Sequence, residues 1–175
     1  MRSVFRAVRA SLRAELPMVA ETADLIIVER AARPLGSLIR LKAPALRAVH
    51  AVERPVLVLE ESRAAPRQVL VVVSEAVGER AIIAGARIAA AGGARLEVRV
   101  AGGIEPASRL EALLSRLAPG LPAPPHLAAV EGSLETLLRS VREALVVLDW
   151  SDRGPERAED WRLVDEARCS VLVLR

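Results

Sequence analysis

The side chains of this chain that could do chemistry are few and poorly placed for it. His50 and His126 lie 76 positions apart, with no Cys, Asp or Glu cluster near either at ligand spacing, so no metal site is expected. The single cysteine, Cys169, excludes a disulfide framework and fits a reducing cytoplasm. It enters an apolar run, which reads as a buried structural thiol rather than a nucleophile. No Ser-His-Asp arrangement and no paired carboxylates stand out, so the chain is not expected to be an enzyme. Trp150 and Trp161 flank an acidic stretch and have the chemistry of partner anchors, but the packing of a short loop accounts for them more simply.

Charge and composition narrow the classes further. The 175 residues carry a net charge of +3, almost all of it from arginine, with Lys42 the only lysine. Acids are interleaved with the basic residues, and two tryptophans and one phenylalanine are too few to stack bases, so no nucleic-acid partner is expected. A hydrophobic content of 52% argues for a sizeable core. No apolar run reaches the ~20 residues that span a bilayer, and Arg2, Arg6, Arg9 and Arg13 interrupt the place of a signal peptide, so no membrane insertion is expected.

The elements that must position any site are organised around Arg67 to Ala101. An apolar run, Val69 to Val73, precedes a turn at Ser74 to Gly78. Ile82, Ile83, Ala86, Ile88 and Ala89 then follow a helical period that Gly92-Gly93 stops, and Leu96 to Val100 is a second strand. Strands joined by a helix in this way read as a parallel βαβ unit. Upstream, Arg2 to Leu16 forms an amphipathic helix with Phe5, Val8, Leu12 and Leu16 on one face and a solvated arginine stripe beside it. Ala23 to Val28 and Pro55 to Leu59 are strands, with a helix from about Pro44 to Val49 between them and a linker at Glu60 to Pro66. Downstream, Pro106 opens a helix carrying Leu110, Leu113, Leu114 and Leu117, and Leu121 to Pro125 is a loop. His126 to Val130 is a strand, Ser133 caps a helix with Glu135 in its first turn, and Ala144 to Leu148 is a strand. Pro155 to Ala167 is a helix and Val171 to Leu174 the last strand.

An internal repeat follows. ADLIIVER at Ala23 matches EALVVLDW at Glu143, offset by 120, and RPVLVL at Arg54 matches CSVLVL at Cys169, offset by 115. These phrases, with RQVLVVV and its helix, resemble the universal stress protein family in order and spacing. RQVLVVV is similar to that family's opening strand, ADLIIV and RPVLVLEE to its fourth and fifth strands, and ARCSVLVL to its closing phrase. The resemblance implies an α/β, Rossmann-like fold: a parallel five-stranded sheet sandwiched by helices, in strand order three-two-one-four-five, preceded by a partial second copy. It divides the chain into a partial domain, residues 1–62, holding the last two strands and their helices, and a complete domain, residues 66–175. Side-by-side pairing of the two copies through Val56 to Leu59 and Val171 to Leu174 is the expected junction.

ATP-binding members of that family carry G-x-x-G, nine residues, then G-[ST] between strand four and helix four. Glycines wrap the phosphates, and the helix they open presents free N–H groups to the anion. This chain has Glu29, Ala32 and Lys42 where the glycines belong, Ala43 where the hydroxyl belongs, and then Pro44, which lacks an amide. Gly36-Ser37 lies inside the spacer, and Arg40 and Lys42 offer charge without a backbone cradle. The second connector, Asp149 to Asp160, holds five carboxylates against Arg153 and Arg157, and Ser74 replaces the family's adenine-side Asp. Gly78 and Gly85 fall in the turn and on the helix, not in a phosphate loop.

The resulting expectation is a non-catalytic, cytoplasmic regulatory or scaffold module that acts through protein contacts and binds no ATP or AMP. A nucleotide-binding stress sensor with an altered pocket and slow ATP hydrolysis is the alternative, and a cytoplasmic regulatory piece of a larger transporter-type chain a third reading. Leu25 to Val28 is apolar, β-prone and uncharged, and has no strand one beside it. Pairing of this edge with its own copy is expected to give a homodimer with residues 1–60 at or near the interface; the further protein partner is unknown.

Overall fold

The computed structural model describes residues 22–29, 53–60, 65–74, 78–101, 107–150, 162–164 and 166–175. The helices expected at Arg2 to Leu16 and Pro44 to Val49, and most of the connectors Glu29 to Lys42 and Asp149 to Asp160, lie outside the described residues.

Seven short segments form one sheet. They are β1 (Ile26–Glu29), β2 (Val56–Leu59), β3 (Gln68–Ser74), β4 (Arg95–Ala101), β5 (His126–Ala129), β6 (Ala144–Asp149) and β7 (Ser170–Leu174), in the order β1-β2-β7-β6-β3-β4-β5. Every neighbouring pair is parallel except β2 and β7, which run antiparallel with Val56 opposite Val173 and Val58 opposite Val171. Strands β3 to β7 thus keep the expected three-two-one-four-five order, and the two final strands meet side by side as expected. The backbone amide of Glu60 adds a 3.0 Å hydrogen bond to Ser170 Oγ at that junction.

Helix α1 (Glu79–Gly92) buries Ala81, Ile82, Gly85, Ala86 and Ala89 on the face their spacing assigns, and ends at Gly93, whose φ of 64° is a left-handed cap. It lies close on the sheet: a Cβ at Gly85 would sit 2.4 Å from Val71 Cγ2. Helix α2 (Ala107–Leu117) packs on the same face through Leu113 and Leu114. Helix α3 (Leu134–Ser140) packs on the opposite face with Leu137 and Leu138, its first turn capped by Ser133 Oγ accepting from Thr136 N at 3.1 Å. A helical turn at 162–164 adds Val164 to that second face.

Registration turns these layers into rows. Ile27, Leu57, Leu172, Val147, Val71, Val98 and Leu127 form one line across all seven strands, on the face under α1 and α2. The middle of the row is buried, and with helices on the other face too, Val69 to Val73 and Ala144 to Leu148 can be apolar at every position. Strand β4 departs from that pattern: Leu96, Val98 and Val100 are buried while Arg95, Glu97 and Arg99 alternate with them and reach solvent. Its second face therefore has no full helical cover among the described residues, unlike the apolar run of β3.

Candidate functional site

A doubly wound sheet offers its crevice where the chain's direction of winding reverses, at the carboxyl ends of the strands on either side. Here the reversal falls between β3 and β6, so the crevice is flanked by Ser74 and Asp149, the last residues of those strands. The N-terminus of α1 follows β3 there. Gly78 sits buried against Val73, where a Cβ would fall 2.6 Å from Val73 Cγ1, and its carbonyl accepts from Ile82 N at 2.9 Å. A larger residue at 78 would force Val73 or the helix to shift, so the glycine serves close helix–strand packing. No side-chain cap is present at Gly78; the helix dipole is met instead by Glu79, which is ion-paired to Arg109 at 2.8 Å. The half-buried Asp149 shares the described rim of the crevice with that pair and with Arg80, which donates to Arg175 O at 3.2 Å.

Of the site positions expected from the sequence, Glu29 and Ser74 are described, and they belong to different copies of the repeat. Glu29 is the final residue of β1. Because β1 and β2 run opposite to β7, Glu29 lies at the end of the sheet where β3 to β7 begin, whereas Ser74 lies where they finish. Ala32, Lys42, Ala43, Pro44, Gly36, Ser37 and Arg40 fall outside the described residues, as do the connector beyond Trp150, Trp161 and His50.

The remaining chemical candidates fall where packing places them. Cys169 is buried in the core with Val171, Val164 and Ala167, as a structural thiol should be. Trp150 is buried in the same cluster, and its amide donates to Leu174 O at 2.9 Å, tying β6 to β7. His126 opens β5 and is exposed. Among the described residues no three His, Cys, Asp or Glu side chains gather as metal ligands. Clefts lined by described residues include the following. One, of about 660 Å³, opens at the amino ends of β3 to β5 beside Arg67, Arg95 and His126. A second, of about 360 Å³, lies beside α3 and is lined by Gln68, Glu97, Arg99, Glu131 and Thr136. A third, of about 440 Å³, is lined by Leu57, Leu59, Ile88, Leu145 and Ser170.

Sequence reasoning missed the charged row within the second cleft. The Glu97 carboxylate accepts from Gln68 Nε2 and from Arg99 Nε, the latter at 2.5 Å, so Glu97 and Arg99 meet each other on this sheet face. The alternation in RLEVRV was the available signal. Near α3, Arg139 and Arg162 both bond Glu166; these hydrogen bonds, Arg139's first, hold the Glu166 carboxyl below the usual glutamate value. Both clusters are self-satisfied ion pairs without the open position a reaction needs.

No protein-family model matches the chain, and no curated protein matches it. Solved structures do. A universal stress protein from Archaeoglobus fulgidus DSM 4304 superposes with a TM-score of 0.68 at 14% identity, covering 92% of this chain and 64% of that one. A protein of unknown function from Pseudomonas aeruginosa PAO1 gives 0.60 at 18% identity, covering 95% and 68%. A provisionally assigned universal stress protein from Pseudomonas aeruginosa UCBPP-PA14 gives 0.59 at 18% identity, covering 95% and 69%. The chain therefore has the α/β fold of universal stress proteins, and spans about two thirds of the length of these structures.

Proposed function

We propose that this chain is a tandem-type universal-stress-protein-like module, its N-terminal copy truncated, that works through protein contacts and is neither an enzyme nor an ATP receptor. The observation that carries this reading is β1: the outermost strand of the sheet exposes Ile27, with Leu25 exposed just before it, while the positions where the family's phosphate loop would follow carry Glu29, Ala32, Lys42 and Ala43. An apolar edge strand is a template for pairing, and an anion cradle needs glycines and free amides that these residues withhold. Two-fold pairing of β1 with its own copy gives a homodimer that satisfies both edges. No helix of the described residues is long and apolar enough to cross a membrane, which fits a cytoplasmic module.

Calorimetric titration of ATP and AMP, with sedimentation at micromolar concentration, tests the reading. Binding weaker than about 1 mM, equivalent to ~4 kcal/mol, and a dimer are expected. Micromolar nucleotide affinity would transfer the assignment to the nucleotide-sensor alternative, and a wild-type monomer would remove the homodimer.

A further inference from the structure

The amino ends of β3 to β5 gather positive charge into a cleft. Arg67 stands at the entry to β3 and Arg95 is the first residue of β4. The two are held side by side, the Arg95 amide donating to Arg67 O at 3.0 Å. His126, the first residue of β5, is in register with Glu97, two positions further along β4. Arg67, Arg95 and His126 all line the cleft of about 660 Å³, and Ala123 and Pro124 add an apolar wall. Every wall of this cleft is made of described residues.

The charges in the lining do not cancel. Glu97 is its one carboxylate, and that group already accepts from Gln68 Nε2 and Arg99 Nε. Arg99, Arg109, Arg139 and Arg162 each meet a carboxylate, whereas Arg67 and Arg95 meet none among the described residues. Neighbouring strands lie about 5 Å apart, so the two guanidinium groups can converge on one small anion. A guanidinium presents N–H pairs matched to the oxygens of a phosphoryl group, and an imidazole adds a further donor. Gln68 and Glu97 also line the adjoining cleft of about 360 Å³, where Glu131 and Thr136 present polar groups to a ligand's hydroxyls.

We propose that the cleft at the amino ends of β3 to β5 binds the phosphoryl group of a small anionic ligand, with Arg67 and Arg95 donating to its oxygens and His126 adding a further hydrogen bond. The site lies at the opposite end of these strands from the crevice flanked by Ser74 and Asp149, so it does not depend on whether a nucleotide enters there. All three cleft residues are exposed, which makes the binding modest and salt-dependent. A phosphate ester with a hydroxylated body reaches the adjoining cleft, and inorganic phosphate does not. The inference goes beyond the protein-contact reading above and holds with or without the homodimer.

Inorganic phosphate titrated into the full 175-residue chain, with ionic strength held constant by chloride and amide NMR signals followed, tests the proposal. Saturable shifts at Gln68, Arg95, Glu97 and His126 are expected, with a dissociation constant on the order of 5 mM. Arg67→Gln and Arg95→Gln should each weaken binding at least about fivefold, with urea unfolding close to wild type because both side chains are exposed. Either variant carries the test if the other does not fold. Glycerol 3-phosphate identifies the source: tighter binding than inorganic phosphate assigns the cleft to phosphate esters, and equal or weaker binding assigns it to free phosphate. No saturable shift up to about 50 mM phosphate overturns the proposal, as does binding that both variants leave intact. Shifts centred on Ser74 and Glu79 also overturn it, and they count against the functional reading as well, since they place the anion in the crevice.

Discussion

Strand pairs β6–β7 and β1–β2 are written in nearly the same letters and live in different surroundings. LVVLD and SVLVL are apolar on both faces because helices lie on both; LIIVE and VLVLE are just as apolar, but among the described residues they are covered on one face alone. Burying a Leu, Ile or Val side chain stabilises by roughly 1.5–3 kcal/mol relative to exposure. Ile27, at about half exposure, forgoes much of what Val147 contributes. Equal sequence therefore yields unequal stabilisation, and the deficit is confined to one corner of the sheet.

The most severe way to break the comparison is a charge at matched positions. Val147→Lys places an unpaired ammonium beneath α1 and is expected to cost more than about 4 kcal/mol, preventing folding in urea titrations. Ile27→Lys, at the same repeat position, should stay within about 1 kcal/mol of wild type, since its side chain already reaches water. Equal losses at the two positions would mean that the β1–β2 face is covered in solution.

The helix that makes the copies unequal can be loosened. Gly85→Ala drives a methyl into Val71 and should cost about 1–3 kcal/mol of overpacking, partly offset by up to ~1 kcal/mol of helix propensity. The net loss should appear as a lower urea midpoint with an unchanged slope. A gain in stability would show that α1 can lift from the sheet without loss.

Smaller effects belong to the opposite face. Ser133→Ala removes the cap of the seven-residue α3 and should cost about 1 kcal/mol. Glu166→Gln should have the least effect at neutral pH and a diagnostic one in acid. The carboxyl's folded-state value is lowered by Arg139 and Arg162, so its contribution is present above the ordinary glutamate value and is lost as pH falls through the folded one. Unfolding midpoints measured from pH 7 to pH 3 should therefore decline less steeply in the variant than in the wild type.

Much of the fold is legible in the chain itself because local rules act over a few residues. The run at Val69 to Val73, the Ile82–Ile83–Ala86–Ala89 period, the stop at Gly92-Gly93 and the Ser133 cap all became the elements their chemistry requires. The repeat at Ala23 and Glu143 even announced the junction of β2 with β7, since two apolar strands with bare edges satisfy each other's backbone groups. Of the candidate site the sequence offered the residues standing where a phosphate cradle would need glycine, and of these only Glu29 lies among the described residues. Exposure was decided otherwise. Leu25 and Leu145, or Ile27 and Val147, have similar neighbours in sequence, and nothing local separates them. Whether such a residue is core or surface depends on whether α1 lies over it, and α1 is placed by its contact with Val71, far along the chain from β1. Burial is a property of the assembled sheet, and only the tertiary structure could assign it.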